Sequence, residues 1–184
     1  MKKLLLTLLL PLSIISSASY GEELNSLFGI TLYENAEKYV SSNYINSNKV
    51  KNTETIKDYF DLNFIDKIKE KSSYVSDYWI VIDNNNSIHQ IYGQREYTNL
   101  STCQSILETL SSSLEERYEI DFEYYETFLP NGKRYKYWFY SSSNNYLFAI
   151  QCNEEDDLPS HGMIIYLETI DLLEAREEFY DAGL

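Results

Sequence analysis

The stretch NYLFAIQC, Asn145 to Cys152, places Tyr146, Phe148, Ile150 and Cys152 at alternate positions, with Leu147, Ala149 and Gln151 between them. Side chains alternate faces along a strand, so this run predicts a strand with one aromatic and aliphatic face that ends on a thiol. The other cysteine, Cys103, lies in LSTCQSILETLSSSLEERY, Leu100 to Tyr118. There Leu100, Cys103, Ile106, Leu107, Leu110, Leu114 and Tyr118 recur at three- and four-residue spacing, the mark of one helical face. Ser101 and Gln104 have capping-box spacing, which puts Cys103 in the first turn. A helix laid on the apolar face of the strand brings Cys103 to Cys152, and a bridge between them is expected.

Working outward, DYWIVID (77–83), the turn NNNS and IHQIYGQREY (88–97) read as a hairpin. KRYKYWFY (133–140), SSSNN and YLFAIQC form a second one. HGMIIYLET (161–169) is a further strand and DLLEAREEFY (171–180) a terminal acidic helix. The expected class is α+β: an antiparallel sheet of two hairpins plus a further strand, packed against the helix near 100–118. Upstream, LFGITLYENAEKYVSS suggests a short extended piece and then a helix from about Tyr33, with Ala36, Tyr39 and Val40 at helical spacing. The Asn-, Lys- and Ser-rich stretch after it reads as a loop with one helical or extended segment around Ile56 to Ile68. Tyr78-Trp79 and Asn85-Asn86 recur 59 residues later as Tyr137-Trp138 and Asn144-Asn145. Two helix-plus-hairpin halves explain that echo, and so does chance likeness between aromatic strands joined by Asn-rich turns.

The chain opens MKKLLLTLLLPLSIISSASYGEE: two lysines, an apolar run from Leu4 to Ile15 and then small residues. That is the layout of a secretory signal peptide, and the run falls short of the roughly twenty residues that span a bilayer. Residues 1–21 are expected to be a signal peptide and 22–184 a single α+β domain, periplasmic or secreted, with no membrane span after cleavage. Oxidising compartments favour disulfides, which agrees with pairing an even number of cysteines. A formal charge of −14 repels phosphate backbones, so nucleic acid is not an expected partner.

No G-x-S-x-G elbow, phosphate-cradling glycine loop or H-E-x-x-H motif is present. His89 reads as an ordinary strand histidine. Glu154, Glu155, Asp156 and Asp157, with His161 beside them, are a candidate cation site, since carboxylate oxygens suit calcium, but acidic loops are usually solvated. Neither a metal nor a cofactor is expected. The composition stands out in its 18 tyrosines, beside 8 Phe and 2 Trp. Tyrosine suits half-buried strand faces and also interaction surfaces. Tyr135, Tyr137, Trp138 and Tyr140 are therefore the candidate binding patch, for an unknown periplasmic protein, peptide or glycan.

At LFGITLYENAEKYV, YWIVIDNNNSIHQIYG and STCQSILETL with FAIQC, the sequence resembles uncharacterised small exported proteins of marine bacteria with AT-rich genomes. The resemblance implies export and a helix-to-strand cysteine pair, and carries no activity. More loosely, the helix-plus-hairpin halves resemble small periplasmic domains of the β-lactamase-inhibitor-like and outer-membrane-assembly lipoprotein kinds, although the lipobox cysteine and the G-M-[ST] helix entry of the latter are missing. The expectation is a non-catalytic binding or interaction module. The alternatives are a small periplasmic hydrolase with an acidic site and a metal-buffering module using residues 154–161.

Overall fold

The structure, a computed structural model, describes residues 24–53, 55, 58–64, 71–129, 132–141, 145–155 and 161–181. The expected signal peptide therefore lies outside the described residues. In chain order the elements begin with a small hairpin, β1 (Ser26–Leu27) and β2 (Ile30–Thr31), then a 3-10 turn (Ala36–Lys38) and α1 (Ser42–Asn48). Strands β3 (Val50–Lys51), β4 (Phe60–Asn63), β5 (Asp77–Ile82) and β6 (Ile88–Tyr97) follow, then α2 (Leu100–Tyr118). The chain continues through β7 (Glu123–Leu129), β8 (Gly132–Ser141), β9 (Tyr146–Glu155), β10 (His161–Thr169) and α3 (Ile170–Asp181).

Strands β3 to β10 form one eight-stranded sheet in the order β3-β4-β5-β6-β10-β9-β8-β7. Every neighbouring pair in it is antiparallel. The fold is thus the expected α+β class. Strand β10 enters between the two hairpins, with Ile165 opposite Gly93 on one side and Ile150 on the other. Alternation then gives the sheet two chemically different faces.

On the first face α2 lies across the centre of the sheet. Cys103 and Leu107 of the helix are buried with Phe148, Ile150 and Cys152 of β9, Met163, Ile165 and Leu167 of β10, and Ile91 of β6. Cys103 and Cys152 are disulfide-bonded, with Cα atoms 6.0 Å apart. The β1–β2 hairpin closes one side of this core through a two-residue turn at Phe28 and Gly29, with φ of 56° and 75°. Both central residues with positive φ is the turn geometry that matches strand twist. The Phe28 ring stands edge-on to Tyr78 with centroids 4.9 Å apart. It can do so because β6 has Gly93 there: a Cβ would sit 2.9 Å from the Phe28 ring and 2.8 Å from Val75.

On the second face α3 packs Leu172 and Ala175 against Val81 and Tyr59. Thr169 starts this helix, its Oγ1 accepting from the Leu172 N–H and hydrogen-bonding Nδ1 of His89 at 3.0 Å. His89 is buried, beside Asp83 and the Tyr59 ring.

Four details differ from the sequence reading. The expected helix from Tyr33 is a single 3-10 turn, because Tyr33 has a left-handed φ of 63° and Asn35 caps a turn one residue later. The α-helix begins instead after Ser41, whose side chain accepts from the Tyr44 N–H. The cap of α2 is Asn99, whose side chain accepts from Thr102 N–H, and not Ser101. β7 and β3 add strands at the two edges of the sheet, while the segment expected around Ile56 to Ile68 is extended and forms β4. The two hairpins also differ in register: Ile80 faces Ile91, whereas Phe139, 59 residues on from Ile80, faces Phe148. Helix α2 directly follows the first hairpin, β10 separates the second from α3, and the two helices lie on opposite faces.

Candidate functional site

The rows of side chains on the α3 face follow from the register. One row runs Glu168, Gln90, Val81, Asp61 across β10, β6, β5 and β4. The next runs Trp138, Ala149, Tyr166, Tyr92, Trp79 from β8 to β5. A third places Lys136, Gln151 and Ile164 side by side, and beyond it Arg134 faces Asn153. Helix α3 roofs only part of this surface. Between its Arg176 and Tyr180 and the sheet lies a cleft of about 510 Å³, floored by Gln90, Tyr166, Glu168 and Gln151. Arg134, Asn153, Asn52 and Asp61 complete its polar rim. The volume is that of an ordinary small-molecule site, about 300–1,000 Å³.

Where α3 meets the floor, three side chains close a ring. Arg176 donates Nη1 to Glu168 at 2.6 Å and Nη2 to the Gln90 carbonyl oxygen at 3.1 Å. Gln90 donates its amide to the same Glu168 carboxylate at 2.9 Å. Burial pushes the Glu168 carboxyl above the usual carboxylate range, and the Arg176 and Lys136 cations pull it partly back. Burial also raises the Tyr166 phenol, and the Glu168 charge adds to that rise.

The other two cations are placed differently. Arg134 uses Nε on the Asn153 carbonyl oxygen at 3.2 Å, which leaves the outer edge of its guanidinium for something else. The Lys136 ammonium lies 5.4 Å from the centre of the Tyr166 ring. Burial lowers the Lys136 ammonium below the ordinary lysine range, with Glu168 opposing and Arg134 reinforcing the shift. Two cations thus converge beside Tyr166 in a chain that is strongly acidic overall. Tyr92 and Trp79, stacked within 7° of parallel at 6.4 Å, extend the aromatic row beyond them.

The patch expected from the sequence divides between the faces. Tyr135 and Tyr137 are half-buried against the core on the α2 side, while Trp138 lies on the cleft side next to Lys136. Tyr140 stands opposite Leu147, and its side chain is outside the described residues. Edge strand β7 instead presents three exposed aromatics, Tyr124 and Tyr125 at 53% and Phe128 at 74%, and Tyr180 of α3 is exposed at 61%. Tyr124 meets Tyr137 at 5.1 Å, so that edge continues half of the expected patch. The side chains of Glu154, Glu155 and His161, and all of Asp156 and Asp157, lie outside the described residues. Among the described residues no cluster of three His, Cys, Asp or Glu is placed to hold a metal, and no helix is long and apolar enough to cross a membrane.

The sequence reading missed the cleft, although β10 carried a signal: Tyr166 and Glu168 alternate with Ile165 and Leu167, so a charge lies within the strand, near its end, on the side away from the core. Comparisons with protein-family models, curated proteins and solved structures find no match. The functional reading rests on the cleft itself.

Proposed function

We propose that the protein is an exported, non-catalytic binding module, and that the cleft between α3 and the sheet takes a small hydrophilic ligand. One observation carries this reading: cations, amides and tyrosines from four separate strands and a helix line one cleft beside Glu168, a carboxylate already held by its own partners. Convergent polar groups in a concave site are how small molecules are oriented. Export is supported by the N-terminal pattern of a charged start and short apolar run, together with the disulfide. The hydrolase alternative has less support, since Glu168 is committed to Arg176 and Gln90, and the described lining holds no serine, cysteine or histidine. A second reading has its own observation: exposed Tyr124, Tyr125 and Phe128 suit β7 as a docking edge for a protein or peptide.

An amide-resolved NMR titration with sugars, sugar acids, amino acids and dipeptides separates the two. Shifts at the side-chain amides of Gln151 and Asn153 are expected. Shifts confined to Tyr124–Phe128 favour the edge, and no shift at either place refutes the binding reading. Fractionation of cells that express the whole chain tests export. Retention of full-length protein in the cytoplasm is the result against it.

A further inference from the structure

We infer that the ligand of the cleft is a hydroxylated carboxylate of sugar-acid type, its carboxylate seated between Arg134 and Lys136 and its ring lying along the Tyr166 row. This deepens the proposal above and rests on it. Three features of the site lead to this class. First, two kinds of positive charge meet here: Arg176 and Arg134 line the cleft, and Lys136 stands at its margin, opposite Gln151 in register and beside the Tyr166 ring. Arg176 is neutralised by Glu168. Arg134 bonds only an amide among the described residues, and Lys136 rests beside an aromatic face. Glu168 acts on Lys136 only from a distance, and among the described residues neither Arg134 nor Lys136 makes a direct ion pair, a partner that an anionic ligand group supplies. The free edge of a guanidinium offers paired donors that match a carboxylate, with the ammonium as a second point charge.

Second, amides surround that charge pair. Gln151 is buried on the floor and Asn153 stands next to it, and amide groups both donate to and accept from hydroxyls. Third, Tyr166 and Tyr92 line the cleft as neighbours in one row, with Trp138 in the same row beyond Ala149, which gives the apolar face of a sugar ring a surface to cover. A bare phosphate would use the charge pair and leave both other features idle. A neutral sugar would leave the cations unmatched.

The test is NMR titration of the full exported chain with glucuronate, glucose and inorganic phosphate, read at the Gln151 and Asn153 side-chain amides. Glucuronate should bind about tenfold or more tightly than glucose, as expected when a charge-assisted bond is present in only one of them. Sodium chloride should weaken glucuronate and leave glucose unchanged. Lys136→Met, which keeps the stem over Tyr166, should bring glucuronate to the level of glucose. The salt series on the unaltered protein gives the same answer if that variant fails to fold. Glucose binding in the cleft as tightly as glucuronate overturns the anion assignment and leaves the cleft as a binding site. Phosphate binding without glucuronate overturns the sugar-acid class. A neutral ligand found in the wider screen, with no shift from any of these three probes, overturns the inference as well.

Discussion

Replacing Cys103 and Cys152 together by alanine should leave the sheet intact and make the protein much easier to unfold. The bridge joins residues 49 apart in sequence. In the chain-entropy description, releasing a loop of that length returns about 4 kcal/mol of freedom to the unfolded chain at 25 °C. Both sulfurs are fully buried, between α2 and the central strands β9 and β10. Alanine there leaves small voids, and on the order of 1 kcal/mol is added for each lost buried group. The expected loss is about 4–6 kcal/mol, a lowering of Tm by roughly 10–20 °C for a domain of this size. Serine in place of alanine should be worse, since each hydroxyl enters an apolar setting. Guanidinium unfolding of oxidised, reduced and double-alanine protein measures it, and the last two should show the larger denaturant dependence of an unlinked chain. A loss below about 1 kcal/mol would refute the reasoning, because the loop-length argument requires several times that value.

Three further outcomes follow from the geometry. Gly93→Ala should destabilise by about 1–3 kcal/mol through overpacking against Phe28 and Val75, and Val75→Ala in the same chain should recover part of the loss in thermal unfolding. Arg176→Met should cost about 3–5 kcal/mol at pH 7, because it leaves Glu168 buried without its ion pair. Glu168 already titrates above the carboxylate range, so the folded state favours its protonated form. The stability deficit of the variant should therefore shrink as pH falls through the Glu168 pKa, and a pH-independent deficit would contradict the assignment. Lys136 titrates below the ordinary lysine range, so glucuronate binding should fade as pH rises through that lowered pKa, while the fold, which favours neutral Lys136, is not weakened by the same titration.

The elements most legible in the sequence are those whose burial is one-sided and long. The range of α2 is as its apolar spacing predicts, and so are β6 and β10, because each lays a continuous stripe on the core. The disulfide was legible for the same reason, with each cysteine ending such a stripe. Helix α1 was not, since only Ile45 among its seven residues is buried and its start depends on the Ser41 cap. Strand β7, EYYETFL, shows little alternation because the exposed edge asks for none: Tyr124, Tyr125 and Phe128 lie on both faces and all meet solvent. The cleft was least legible. Asn52, Gln90, Arg134, Glu168 and Arg176 come from five elements or their flanks, each at a position that reads locally as an ordinary polar face. The register of the sheet from β3 to β8, with α3 laid over it, brings them together.

The Arg176, Glu168 and Gln90 ring allows a last test of whether the α3 face is built for stability or for the cleft. Were the ring there to hold α3 down, replacing all three residues by leucine should unfold the protein as readily as losing Arg176 alone. Buried ion pairs seldom work that way. Their desolvation nearly cancels their attraction, so an apolar substitute of similar volume is commonly neutral or stabilising, whereas removing one partner is severe. Val81, Leu172 and Ala175 already form an apolar contact beside the ring that leucines could extend. The triple variant should therefore unfold within about 1–2 kcal/mol of the unaltered protein, or above it, despite the large loss expected of Arg176→Met. It should also fail to show glucuronate shifts at Gln151, because leucine side chains would project into the floor beside Tyr166. A triple variant several kcal/mol less stable would mean that the ring serves to fasten the helix, and the polarity of this face would need no ligand to account for it.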